Sequence, residues 1–322
     1  MQEREKRIFG MLAGCALGDA MGMPSEGMDA KTIRTTFGTI RRFLPSCEKD
    51  VLGRSFKAGQ VTDDTINTLL VCDAVIAGQG SFDPFVYLSL LQTWICESRE
   101  QSQYMIGPST KQALQAIADG IPLEEAGRNG TTNGAAMKAA PLGIISDYKR
   151  LDQLIDHVSL LCLPTHHTPV AIAGASIVAA LSSYALQGGC DLEDMWGLAE
   201  RVCSHRKAYD LAAELDDIRE YMIRHEKAEI LRYLEKKGTG IETIQTIPAV
   251  LALLELSGLD PYECAVLAAG LGGDTDTIGA ISCSICGAVH PDIDETFVSV
   301  LEQVNGIDFS VYARNLSKYG SS

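Results

Sequence analysis

The residue types best suited to chemistry in this chain are two acidic clusters hedged by threonine. Residues 62–65 read TDDT and residues 274–277 read DTDT. Each follows a glycine-bearing loop and precedes an apolar, helix-like run. A helix N-terminus needs one short polar cap, and acidic residues suit its positive end. Two carboxylates and two hydroxyls, placed twice, exceed that need. Oxygen ligands of this kind suit hard cations such as Mg²⁺, Mn²⁺ or Ca²⁺. Four carboxylates brought together without a cation would repel and raise one another's pKa values. Two divalent cations would balance them. The motifs therefore predict a binuclear oxygen-ligand site between two helix N-termini, with open positions for substrate hydroxyls or a water.

Other stretches carry weaker signals. GDAMGMPSE (18–26) delivers Glu26 just past a proline turn; alone, it reads as a loop carboxylate. GRNGTTNGAAMKAAPLGI (127–144) and GPST (107–110) offer backbone N–H groups that could hold a phosphate. PTHHT (164–168) places His166 and His167 at a helix start, where capping and packing would explain them. Neither H-E-x-x-H nor paired Cys/His spacing occurs, which argues against zinc. CSIC (283–286) has no second pair. Position 278 is Ile, so the D-x-D-x-T phosphatase motif is not met.

The elements that must position these groups read as helices almost throughout. Helical periodicity predicts them over 3–22, 65–78, 84–98, 109–119, 133–146, 150–162, 168–187, 191–205, 208–236, 243–257, 261–271, 277–289, 294–305 and 309–317. Asp83-Pro84 and Asp260-Pro261 pair a capping carboxylate with proline at the first helical position, and Asp191 caps the helix that follows it. Residues 24–61 read as loop. Gly10, Gly14, Gly18 and Gly22 recur every fourth residue and line one stripe of the first helix. Strand signals are weak, and no fixed-period repeat or linker is visible. The expectation is one all-α domain over residues 1–322.

Bulk properties narrow the partners. The net charge of -15 over 322 residues repels nucleic acid and anionic lipid. An anionic substrate then requires local positive potential from metal ions or helix N-termini. No uninterrupted apolar run approaches the roughly 18 residues needed to span a membrane. Ten scattered cysteines, mostly in apolar helical stretches, suggest reduced thiols and a cytoplasmic protein.

Taken in order, GDAMGMPSE, TDDT, TTNGAAMKAAP, PTHHT and GGDTDTIGAI resemble the ADP-ribosylglycohydrolase family over about residues 7–290. The resemblance implies an all-α orthogonal bundle, compact, with two Mg²⁺ or Mn²⁺ ions. By motif match, Thr62, Asp63, Asp64, Asp274, Asp276 and Thr277 would be metal ligands. Glu26 would be the family's mobile active-site glutamate, acting with Asp63 and Asp64 as the catalytic set. Gly130, Thr131 and Asn133 would hold substrate, His166 would face the ADP-ribose, and Gly272 and Gly273 would let the ribose approach closely. The implied reaction is metal-dependent hydrolysis of the bond between ADP-ribose and a protein side chain or small adduct. An N-glycosidase acting on a small nucleoside-like compound and a non-catalytic, crystallin-like binding protein are the alternatives. A monomer is expected. The chain departs from the pattern at Lys138, where arginine is frequent, and at Asn67, where an apolar residue is common. Residues 27–61 and 203–240 match no motif.

Overall fold

Glycine at every fourth position leaves a helix with a bare stripe, and in this protein that stripe is filled by another backbone. A computed structural model describes residues 1–48, 50–98 and 105–320. The first helix, α1 (Glu3–Gly22), begins with a capping box formed by Gln2 and Glu5. It is followed by α2 (Ala30–Phe37), α3 (Asp63–Ala77), α4 (Pro84–Glu97), α5 (Pro108–Ala118), α6 (Leu123–Ala126) and α7 (Leu142–Ile145). Next come α8 (Leu151–Cys162), α9 (Pro169–Leu186), α10 (Leu192–Arg206), α11 (Tyr209–Met222) and α12 (Lys227–Lys237). The chain closes with α13 (Thr243–Leu256), α14 (Pro261–Leu271), α15 (Thr275–Val289), α16 (Glu295–Asn305) and α17 (Phe309–Leu316). Two short 3-10 turns, Met23–Ser25 and Ala136–Lys138, complete the helical elements among the described residues. No strand occurs among them; Thr132 and Glu242 form an isolated antiparallel bridge.

The α1 stripe packs against α15 running the opposite way. A Cβ on Gly10 would fall 2.1 Å from the Gly287 carbonyl oxygen, and one on Gly18 would fall 2.0 Å from that of Gly279. α15 answers with glycines of its own: a Cβ on Gly287 would lie 2.0 Å from the Gly10 carbonyl. This contact sets the C-terminal end of α1 beside the N-terminal end of α15. It thereby joins residues 18–26 to residues 274–277.

α9 packs against α1, α8, α10, α13 and α15. It is apolar on all sides and, by length and composition alone, could cross a membrane. Yet 89 % of it is buried inside the protein, so it is a central core helix. The expectation that no such run exists is corrected to that extent.

Three other expectations change. The 133–146 segment is a 3-10 turn and a single-turn helix, because Pro141 interrupts the ladder and Asn133 N–H is committed to the Ile241 carbonyl. The 208–236 segment is two helices, since Glu226 and Glu229 form a capping box that starts a new one. The 24–61 loop contains α2, capped by Asp29 accepting from the Thr32 N–H at 2.9 Å. The proline-associated caps form as read: Asp83 accepts from the Phe85 N–H at 2.8 Å and Asp260 from the Glu263 N–H at 2.7 Å.

Candidate active site

α3 and α15 start at one cavity of about 430 Å³. Glu26, Thr62, Asp63, Asp64, Asn133, His166, Asp274, Asp276 and Thr277 all line it. The two acidic motifs thus converge, and Glu26 joins them. It arrives by way of the Met23–Ser25 turn, which Ser25 pins by donating to the carbonyls of Gly22 (2.9 Å) and Ala269 (2.8 Å).

A sixth carboxylate joins the site from α1. Asp19 is fully buried and accepts from the Thr62 N–H (3.0 Å), the Thr65 N–H (3.1 Å) and the Thr65 hydroxyl (2.6 Å). It caps α3 from a different helix. The Thr62 hydroxyl caps α3 as well, accepting from the Asp64 N–H at 3.4 Å, and donates to Asp64 Oδ2 at 3.0 Å. Asp19 lies within GDAMGMPSE, and its signal in the sequence is a charge on an otherwise bare, apolar helix face.

The carboxylates form two close groups that share Asp276. Asp19, Asp64 and Asp276 bring ligand oxygens within 4.8 Å of one another, as do Glu26, Asp274 and Asp276. Asp64 Oδ1 is buried and has no hydrogen-bond partner. Leaving a buried anionic oxygen unpaired is costly. A hard divalent cation is the partner such an oxygen accepts best. The donor set therefore fits such an ion, with Asp19, Asp64 and Asp276 in one close group, Glu26, Asp274 and Asp276 in the other, and Thr62, Asp63 and Thr277 on the same cavity wall.

The titration behaviour agrees. Burial first, and neighbouring Glu26 second, push Asp274 up to about 7 and Asp63 up to about 8. Burial and its neighbours raise Glu26, Asp64 and Asp276 well above the carboxylate range. Burial lifts Asp19 to about 6 despite its hydrogen bonds. Carboxylates outnumber the positive groups that line the cavity, and a divalent cation would help to balance them.

The protein supplies some positive charge of its own: Arg54 and Lys111 line the cavity, and buried Lys138 acts on Asp63. Arg54, in the 27–61 stretch that matched no motif, is ion-paired with Glu26 and with Asp50, the latter at 3.0 Å. Lys138 is completely buried, with its Nζ lacking a hydrogen bond and lying 4.9 Å from the Tyr87 ring centroid. The Tyr87 hydroxyl donates to Asn67 Oδ1 at 2.7 Å, and Asn67 Nδ2 donates to the Asp63 carbonyl at 2.8 Å. The two departures at Lys138 and Asn67 are thus parts of one support under Asp63. Burial lowers the Lys138 pKa to about 8.

The polar wall is built by Asn133 and His166. Asn133 Nδ2 hydrogen-bonds Asp274 and also donates to Thr246 Oγ1 at 2.8 Å. His166 Nε2 pairs with Thr132 Oγ1 at 3.0 Å and Nδ1 with Thr165 Oγ1 at 2.7 Å. Burial holds its pKa well below the usual histidine value, so the ring is neutral. The start of α5, whose N-terminus has no side-chain cap, adjoins this wall: Thr132 Oγ1 donates to Ser109 Oγ at 3.0 Å, and Gly107, Pro108, Thr110 and Lys111 line the cavity.

Four expected substrate contacts lie off the cavity. Gly130 packs under His166, where a Cβ would come 2.3 Å from the Thr165 carbonyl oxygen. Thr131 is exposed on a separate groove and its carbonyl accepts from the Thr243 hydroxyl at 2.8 Å. Gly272 and Gly273 adopt φ of 87° and 75°, and the space for a Cβ is taken by the backbones of Ala30 and Thr239. These glycines admit neighbouring protein, because the chain must turn sharply there to present Asp274. Thr132 and Gly134 line the cavity in their place.

A family model for ADP-ribosylglycohydrolase matches residues 1–320. The chain belongs to the ADP-ribosylglycohydrolase family. Membership carries hydrolysis of ADP-ribosyl glycosidic bonds as its class of reaction. Among relatives, the protein called Uncharacterized protein YegU of Escherichia coli (strain K12) is 39 % identical over 98 % of both chains. ADP-ribosylhydrolase ARH3 of Xenopus tropicalis is 25 % identical over 88 % of this chain and 87 % of its own. A solved structure described as an ADP-ribosylglycohydrolase-related protein complex superposes over the full length of both chains with TM-score 0.71 at 24 % identity, and so shares the fold.

Proposed function

We propose that this protein is a divalent-cation-dependent hydrolase that releases ADP-ribose from an acceptor, which is a protein side chain or a small adduct. The observation that carries the reading is the convergence of Asp64, Asp274 and Asp276, with an unpartnered Asp64 oxygen, on a cavity that also holds Glu26. Two Mg²⁺ or Mn²⁺ ions held by Thr62, Asp63, Asp64, Asp274, Asp276 and Thr277 would supply Lewis acidity to ribose hydroxyls and water. The relative ARH3 is an ADP-ribosylhydrolase by name, which supports the same class of substrate.

The chain's own groups divide the remaining work. Asn133 holds the Asp274 carboxylate in place. Neutral His166, fixed between Thr132 and Thr165, presents a polar edge without adding charge. The uncapped start of α5 offers backbone N–H groups and a positive dipole end to a diphosphate. That answers how a protein of net charge -15 receives an anion. Departure of the acceptor leaves oxocarbenium character on the ribose, which facing carboxylates stabilise. Glu26, with its raised pKa, would carry the proton between acceptor and water. A cytoplasmic monomer acting on neither nucleic acid nor membrane completes the reading.

Arginine-, serine- and nucleoside-type ribosyl substrates, assayed with Mg²⁺ and Mn²⁺, test it. Release of ADP-ribose that stops on exhaustive EDTA treatment is the expected result. Full activity after EDTA would reject the cation, and turnover of the nucleoside alone would reject the ADP-ribosyl substrate.

A further inference from the structure

The two carboxylate groups are unlike in one respect. Arg54 pairs with Glu26, which belongs to one group alone, and it also faces Asp276, which both groups share. Its side chain is 2 % exposed. One terminal nitrogen ion-pairs with Glu26 and lies 4.0 Å from Asp276 Oδ2. The other terminal nitrogen donates to the Met23 carbonyl at 2.9 Å, and Nε donates to Asp50 Oδ2 at 3.0 Å. The guanidinium is therefore anchored from behind by groups outside the carboxylate pair it faces. Asp50 in turn accepts from the Leu52 N–H at 2.9 Å and the Arg54 N–H at 3.2 Å, which closes the loop that carries Arg54. Among the described residues no cation is hydrogen-bonded to Asp64, whose Oδ1 has no hydrogen-bond partner.

We propose that Arg54 makes the two cation positions of this protein unequal and ties the weaker one to the placement of Glu26. This rests on the cation-dependent reading above. At the Asp19 and Asp64 side the guanidinium reaches only the shared Asp276, at 4.0 Å, and leaves the other two carboxylates to an incoming ion. At the Glu26, Asp274 and Asp276 side the ion meets a fixed guanidinium already paired with one of the oxygens it needs. The second ion must compete with Arg54 for Glu26 and bear its charge at close range. Arg54 is thus a positioning residue: it holds Glu26 against the Asp276 end while that side lacks its ion and releases it when the ion arrives. The 46–56 loop, which matches no family motif in sequence, would set the occupancy of the site.

Calorimetric titration of the chelator-stripped protein with Mn²⁺, read together with the electron paramagnetic resonance of bound Mn²⁺, tests this without an activity assay. The wild-type protein should bind one Mn²⁺ tightly and a second at least ten-fold more weakly. Arg54→Gln should tighten the second step and narrow that gap, while Arg54→Lys, which keeps the charge, should retain much of it. Two equal sites in the wild-type protein would overturn the inference but leave the cation-dependent reading intact. An unchanged gap in folded Arg54→Gln would do the same. Absence of any Mn²⁺ binding would overturn both. The wild-type isotherm decides by itself if the glutamine variant does not fold.

Discussion

At the scale of the residue, Asp64 and Asp276 are the side chains whose loss should be felt most in catalysis. Asp64→Ala and Asp276→Ala should each lower ADP-ribose release by roughly 10³-fold or more, the scale of losing preorganised electrostatic stabilisation. Circular dichroism should show the helical fold retained. Retained turnover in either variant would remove that residue from the reacting groups. Asp19 makes a different prediction, because it is already engaged with α3. Asp19→Ala leaves the N–H groups of Thr62 and Thr65 without their acceptor. Buried unsatisfied donors cost about 1–3 kcal/mol each, so thermal unfolding should show a clear drop in stability. A variant as stable as the wild type would exclude the capping role. The acidic motifs were legible because four carboxylates at two helix starts have no ordinary structural use. Asp19 and Arg54 were not. Each is one charged residue in an unremarked context, and only packing discloses what it faces.

At the scale of the element, the α1–α15 contact sets opposing preferences against each other. Alanine is favoured over glycine in a helix interior by about 1 kcal/mol. At Gly18, however, a methyl group would come 2.0 Å from the Gly279 carbonyl oxygen. Overpacking of this kind typically costs about 1–3 kcal/mol, sometimes more. Gly18→Ala should therefore destabilise the protein despite better helix propensity, and should separate residues 19–26 from residues 274–277. Chemical denaturation together with Mn²⁺ binding checks both; a stabilised variant would contradict the close contact. Helix placement was legible wherever a cap and a run of apolar residues coincided, as at Asp83, Asp191 and Asp260. It failed where the competing signal was local. Pro141 broke a continuous periodic pattern, and the capping box at Glu226 restarted one. At Gly272 and Gly273 the resemblance implies room for the ribose, and the structure packs the Ala30 and Thr239 backbones there, since glycine accommodates a protein backbone as readily as a ligand.

At the scale of the whole molecule, the buried carboxylates tie stability to pH and to metal. A carboxyl with a raised pKa keeps its proton in the folded state. Its contribution is fully present below the ordinary aspartate value near 4. It is lost as the pH rises through about 6 for Asp19, about 7 for Asp274 and about 8 for Asp63. The chelator-treated protein should therefore melt at lower temperature at pH 8 than at pH 6. Mg²⁺ or Mn²⁺ should raise the melting temperature most at the higher pH, because an ion that binds only the folded state stabilises it. A pH-independent melting curve without metal would refute the shared burial of these groups.

The antiparallel α1–α15 contact also has a consequence for how the protein is made. One half of the site lies within the first 64 residues and the other begins at Asp274. A chain emerging from the ribosome carries Asp19, Glu26, Asp63 and Asp64 for most of its synthesis with nothing to close on. Closing a loop of that length carries an entropic cost that local helices cannot offset by themselves. Hydrolytic competence should therefore arrive late and all at once, when the last helices are released. A nascent fragment that stops short of α15 would not hold the site.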